Sequence, residues 1–363
     1  MQIDFHHATT YVCCRLAGMT DGDAAIVAHS AQYVDDATND GALQFKTGER
    51  YVRVTSAHKT LDLRANSDEA DNRLVWAPFH FLPGGDTAPP TLSLSDQFIR
   101  RMVCRPDSEI AQNMIRDCVE KQQLPFGLHR FGVALHTYVD TWAHQGFVGM
   151  VCDFNKVDSI EVLPDDAYKS TDVYKSLTSG VTKTKAHVAN FLSVGHAGVL
   201  TFPDMPFAQW SFTRESGEQV SRNNPKDFLV AATRMFNMAR RYVAADFTIA
   251  DQDFSTQDKK VIDSLLRTTI EIGGEERHST WKEAVKQGQF SFGPAEIEYV
   301  EQGAGSWKYI ALGTDPDDEA NDQMFDYSSS ILSSNWKRFH DAVQYQRLFV
   351  LHDLLPRYGI CAS

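Results

Sequence analysis

Three residues spaced four apart carry the strongest chemical signal in the chain. They are His136, Asp140 and His144, in the stretch GVALHTYVDTWAHQGF from Gly132 to Phe147. In a helix each step of four advances only about 40° around the axis, so the three side chains form one stripe. Leu135, Tyr138, Val139 and Trp142 supply an apolar face for burial. Two imidazoles and a carboxylate in one column can ligate a zinc ion or a zinc cluster. A buried helix with a few satisfied polar groups would use the same residue types, so the metal reading depends on donors elsewhere.

Such donors recur along the first 205 residues. They are His6 or His7 in DFHH, Asp35 or Asp36 in QYVDD, His80 in APFHF, and His196 and Asp204 in GHAGVLTFPD. The set contains imidazoles and carboxylates only. Cys13, Cys14, Cys104, Cys118, Cys152 and Cys361 show no C-x-x-C spacing, which argues against zinc thiolates. His29, His58, His187, His278, His340 and His352 match no such cluster and are read as structural. His129, seven before His136 on the same helical face, is read as supporting a ligand rather than touching metal.

The elements that must position these donors are mostly helical. Helical periodicity covers 11–17 and 23–34, with Gly18 stopping the first run and Asp21 or Asp23 opening the second. Residues 38–75 are polar, with two β-like runs, YVRVTS and RLVWAPFHF; the second leads to His80 and a Pro/Gly loop. Helical pattern returns over 96–123, with a start marked by Pro106 and Asp107, and again in the central segment after Pro125 and Gly127. A loop-rich insertion is expected through residue 184. Helices are expected over 225–248, 256–272 and 326–354, with a turn-rich stretch at 273–319. The expectation is a mostly α, single compact fold: a zinc-site helical domain over 1–224, and a helical extension over 225–363 packed on the same core.

The whole chain has 363 residues, 42% of them apolar, enough for a sizeable core. A net charge of -13 argues against duplex-DNA binding, since no basic stripe would offset phosphate. It does not argue against a phosphate substrate, because bound cations would supply local positive charge. No run of 18 apolar residues suggests a transmembrane segment. The start, MQIDFHHATTYVCC, lacks a basic region followed by an apolar one, so a cytoplasmic location or a leaderless export route is expected.

Taken in order, the donors resemble those of the zinc-dependent phospholipase C and S1/P1 nuclease superfamily. The segment ALHTYVDTWAH is the closest match, and the resemblance covers roughly residues 4–204. Within that superfamily the chain looks most like bacterial zinc phospholipases C that lack a conventional signal peptide, through DFH, QYVDD, LHTYVDTWAHQGF and GHAGVLTFPD. The resemblance implies a phospholipase C/P1 nuclease-like helical fold holding two or three zinc ions. By the match, His136 and Asp140 lie on the central helix, where the Asp bridges two ions. His144 is the following His, His80 the lone His between the early Asp and that helix, and His196 with Asp204 the later pair, eight positions apart. Asp35 or Asp36 corresponds to the early Asp, which ligates and serves as general base. In secreted members a freed terminal amine ligates zinc. Here Met1 precedes DFH by several residues, so Asp4 and His6 are expected as side-chain substitutes, with His7 the alternative if the backbone is extended.

The implied reaction is hydrolysis of a glycerophospholipid, phosphatidylcholine-like, at a membrane surface. A zinc-activated water, with Asp35 or Asp36 as base, would release diacylglycerol and a phospho-head group. Trp76, Phe79, Tyr138, Trp142 and Trp210 are candidates for a choline-facing aromatic wall, and equally for core. The same fold would also suit an S1/P1-type nuclease or nucleotidase, although the acidic charge gives a single strand no electrostatic funnel. An HD-type phosphohydrolase would have to use His340-Asp341 or His352-Asp353. A metal-stabilised binding protein without catalysis would need closed coordination.

Overall fold

The computed structural model describes residues 1–39, 41–57, 73–163, 169–184, 195–313 and 324–361. The chain enters on a π-helical turn, Asp4–Thr9, that runs directly into α1 (Thr10–Leu16). Helix therefore begins ahead of residue 11, where the periodicity placed it, and every residue of the turn is buried. Helix α2 (Asp21–Asp36) begins where the Thr20 hydroxyl accepts from the Asp23 N–H, with Asp21 and Asp23 favouring the positive end of the helix. It ends on the carboxylate pair.

Strands β1 (Gly41–Phe45) and β2 (Arg50–Arg53) form an antiparallel hairpin. The next β-like run is not a strand. Residues Trp76–His80 form a second π-helical turn, with Ala77, Pro78, Phe79 and His80 all buried. A short apolar run buried on every side has the same composition as either element, so periodicity could not separate them. Helices α3 (Leu94–Met102) and α4 (Glu109–Glu120) are capped by Ser93 and Ser108, and Asp107 adopts a left-handed φ of 52° between them. Helix α5 (Gly127–Ala143) is buried along nearly its whole length.

The stretch expected to be loop carries β3 (Val157–Val162) and α6 (Asp172–Thr184). Strand β3 pairs antiparallel with β4 (Gln209–Arg214), which pairs with β5 (Gln219–Asn223). Helix α7 (Asn224–Ala244) follows, capped by Asn223 with Pro225 in its first turn, and stopped by a left-handed Ala245. Then come α8 (Thr256–Thr268), α9 (Gly274–Lys286) and α10 (Trp307–Leu312), so the expected turn-rich region holds two helices. Strand β6 (Met324–Phe325) pairs parallel to β1, and α11 (Asn335–Phe349) completes the set. The fold is mostly α, with two small three-stranded sheets among the described residues. Among the described residues no helix is long and apolar enough to cross a membrane.

One core cluster takes Phe5, Tyr11, Val27, Met114, Phe131, Leu135 and Tyr138 from the first half and Phe228, Met235, Trp281 and Leu354 from beyond residue 224. The two segments thus share a core rather than each building one. Where α2 crosses α5 the backbones touch. A Cβ at Gly132 would sit 2.6 Å from Ser30 Cβ and would also clash with the Val27 carbonyl. That close approach lays the end of α2 alongside His136.

Candidate metal centre

Five separate segments deliver side chains to one place. Helix α5 presents His136 and Asp140 one turn apart, and His144 caps its end. The first π-helical turn brings His6, the end of α2 brings Asp35, and the second π-helical turn brings His80. The loop before β4 supplies His196 and Asp204. Among the described residues, three groups hold donor atoms within 4.8 Å of one another: His6, His136 and Asp140; Asp35, His80 and His136; His144, His196 and Asp204. His136 belongs to two of these groups, and both oxygens of Asp140 are engaged. Oδ1 lies 3.2 Å from His6 Nε2, and Oδ2 lies 3.3 Å from His136 Nε2 and 3.4 Å from His80 Nδ1.

The backbone fixes which imidazole nitrogens carry protons. His136 Nδ1 donates to the Ala31 carbonyl at 2.8 Å, and His80 Nε2 to Ser56 at 2.9 Å. His144 Nδ1 donates to His80 at 2.8 Å, and His196 Nδ1 to Leu200 at 2.9 Å. A carbonyl only accepts, so in each neutral ring the opposite nitrogen is a bare lone pair. Metal-binding histidines are oriented this way. The consequence is sharpest between His136 Nε2 and His80 Nδ1, two lone pairs facing each other at 3.2 Å. His6 adds a buried ring with neither nitrogen hydrogen-bonded. Nitrogen and oxygen donors so arranged could hold a metal ion.

Asp140 also lies 2.6 Å from the Met1 α-amine, which is 3.2 Å from Asp204 Oδ1. Burial opposes the charged amine, but Asp140, Asp204 and Asp35 outweigh it and lift its pKa to about 11. Burial likewise opposes ionisation of Asp140, yet the amine and the His144, His136 and His6 rings hold it well below the usual carboxylate range. His144 is pushed down by burial to about 3, and His6 is also lowered, chiefly by burial. Asp35 moves the other way, raised by burial, although its side chain is 32% exposed, more than the other carboxylates of the cluster. It is the carboxylate of the cluster most open to solvent.

Of the residues expected to ligate, His6, His80, His136, Asp140, His144, His196 and Asp204 come together, joined by Asp35. Asp4 does not join them. It is paired with Arg277, whose Nε lies 2.7 Å from its Oδ2. In a helical turn residues two apart face opposite sides, so Asp4 and His6 cannot both point inward. Asp36 is also turned away: Oδ2 accepts from Tyr299 Oη at 2.5 Å and from Gln32 Nε2 at 3.1 Å. Of the Asp pair, Asp35 is therefore the one in the cluster. His7 faces His278, with Nδ1 and Nε2 2.9 Å apart.

The remaining candidates fall outside the cluster. His129 bonds Asn335, His29 stacks on Trp307 and His340 bonds the Val54 carbonyl. Asp341 accepts from Lys337 and Tyr51, while Asp353 pairs with Arg357, so neither His-Asp doublet belongs to a ligand group. His58 and His187 lie outside the described residues. Phe79, Tyr138, Trp142 and Trp210 are core side chains; Trp76, half-buried, sits 5.2 Å from the His80 ring. All six cysteines are free thiols. Sequence reasoning missed two contributors: the Met1 amine and Arg277. Reading DFHH as helical would have separated Asp4 from His6; nothing local marks Arg277.

No curated protein and no solved structure matches the chain. A family model matches residues 1–354, and the chain belongs to that family, DUF6765, which is described as a family of unknown function.

Proposed function

We propose that the protein is a zinc-dependent phosphodiester hydrolase of the phospholipase C type, acting on glycerophospholipid. The observation that carries the metal half of this reading is the pair of facing lone pairs on His80 and His136, whose other nitrogens are committed to carbonyls. Only a proton or a metal ion placed between them removes that repulsion. Three carboxylates and five imidazoles in three groups, two of them sharing His136 and the third adjoining Asp140 through His144, support a cluster of two or three ions over a single one. The phospholipid half rests on the order and spacing of these donors along the chain.

His6, His136 and Asp140 would hold one ion, Asp35, His80 and His136 a second, and His144, His196 and Asp204 a third. Zinc bound there supplies positive charge for the phosphate oxygens and a lowered pKa for coordinated water. The chain's own groups do the rest. Asp35, the most exposed carboxylate of the cluster and 3.7–3.8 Å from His136 and His80, takes the proton of the attacking water. The new oxygen–phosphorus bond forms as the bond to the glycerol oxygen breaks, and the proton taken by Asp35 returns to that oxygen, leaving diacylglycerol and a phospho-head group. Trp76 beside His80 offers an aromatic wall toward a cationic head group.

The test has two steps. Elemental analysis of untagged protein purified without chelator should find two or three zinc per chain, and a folded chain with none would sink the proposal. The loaded protein should then release phosphocholine from phosphatidylcholine dispersions. Turnover of single-stranded DNA or 3′-nucleotides but not lipid would move the assignment to the nuclease branch.

A further inference from the structure

We infer that Arg277 is a positioning residue for this centre: it locks the N-terminal segment bearing Met1 and His6 onto the loop bearing Asp204. The inference rests on the metal reading above and assigns a task to a helix, α9, that supplies no ligand. Arg277 is fully buried. Its Nε lies 2.7 Å from Asp4 Oδ2 and its Nη2 3.1 Å from Asp4 Oδ1, a two-pronged carboxylate contact. Nη2 also reaches Gln2 Oε1 at 2.6 Å and the Asp204 carbonyl at 3.4 Å, while Nη1 is anchored on the Glu271 and Ile272 carbonyls.

The geometry is specific to a guanidinium. Its planar fork directs five N–H donors at once, where an ammonium presents a compact point charge. Through that plane, residues 2 and 4 are held by their side chains and residue 204 by its backbone. These are the neighbours of Met1 and His6, and one of the third group's own ligands. His278, next in sequence, meets His7 at 2.9 Å, so α9 grips the π-helical turn at a second point beside His6. A cross-link serving stability alone has no reason to converge on segments 200 residues apart that both end in the same cluster. Groups that orient metal ligands typically set affinity by about 10–100-fold.

The test compares full-length wild type, Arg277→Lys and the double variant Asp4→Leu/Arg277→Met. The double variant removes both charges together and so avoids an orphaned buried ion, which keeps a folded test protein available. Zinc affinities come from competition against a chromophoric chelator, with circular dichroism and thermal unfolding in excess chelator reporting the fold. Expected are folded variants in which at least one zinc equivalent binds about 10–100-fold more weakly, with Asp4→Asn showing a loss in the same direction. Cobalt-loaded Arg277→Lys should show altered visible bands. A folded variant with wild-type stoichiometry, affinities and cobalt spectrum overturns the inference while the metal reading stands. A wild-type chain that binds no zinc overturns both.

Discussion

Replacing Asp140 by Asn probes the centre at its most connected atom pair. Through Oδ1 the carboxylate meets the Met1 amine at 2.6 Å and His6 at 3.2 Å; through Oδ2 it meets His136 at 3.3 Å and His80 at 3.4 Å. Asparagine keeps the shape, removes the charge and aims an N–H donor where an acceptor stood. At an effective dielectric of about 20, attraction between amine and carboxylate at 2.6 Å is roughly 6 kcal/mol. Desolvation offsets part of it, and breaking one side of a buried pair costs about 3–5 kcal/mol. In excess chelator the variant should therefore be about 3–5 kcal/mol less stable than wild type. Zinc at a thousand times its dissociation constant adds about 4 kcal/mol to a protein that binds it only when folded. Wild type should show that increment in urea unfolding followed by tryptophan fluorescence, and Asp140→Asn should lose most of it. A variant whose zinc increment equals that of wild type would refute the assignment of Asp140 to the centre.

Three further outcomes are expected. Asp35→Asn should lower turnover at least about 100-fold, the usual scale for a general base, whereas Asp36→Asn, next to it but turned toward Tyr299, should keep wild-type zinc content and most activity; equal losses would remove the distinction. Gly132→Ala, whose Cβ would press on Ser30 and Val27, should cost about 1–3 kcal/mol as overpacking does and weaken zinc binding together with stability, because α2 must lift Asp35 away from His136; thermal melts and zinc titration read both. His340, packed against Val54, is pushed down by burial to about 3, against 6.5 for an ordinary histidine, so between those values the unfolded chain binds the additional proton. Its contribution is full above the unfolded value and drains as pH falls, by up to about 1.4 kcal/mol per pH unit. In chelator, His340→Gln should flatten urea stability between about pH 6.5 and 4.5 relative to wild type, and an unchanged slope would contradict this.

The donors themselves were legible because their spacing is local. A four-residue step on one helix fixes a stripe whatever the tertiary context, so His136 and Asp140 could be placed on one face from sequence alone. The order of His80, His196 and Asp204 along the chain could be read as a set, although nothing in their immediate neighbours says that they meet. Choices between adjacent residues were not legible. His6 and His7, or Asp35 and Asp36, differ only in rotation about a helix axis, and that rotation is set by packing against α5 and α9. The N-terminal segment failed for a related reason. Residues two apart share a side only in an extended chain; wound into a π-helical turn, Asp4 and His6 part, and Asp4 goes to Arg277.

The C-terminal third was the least legible, since its periodicity reports helices and not what they brace. It supplies no member of any ligand group among the described residues, yet it meets the ligand-bearing segments from behind at several points. Arg277 holds Asp4, Gln2 and the Asp204 carbonyl, His278 holds His7, and Tyr299 holds Asp36. Lone pairs and carboxylates crowded into one volume repel one another, and the Met1 ammonium beside Asp140 and Asp204 offsets only part of that repulsion. Such a cluster therefore stays assembled without metal only if the surrounding chain holds it, and here α9 and the segment after it do so through side chains separated from their partners by more than 200 residues. Metal affinity in this fold should accordingly depend on residues well outside the donor motifs, and a truncation at residue 224 should lose both the core and the centre rather than leave a working metal domain.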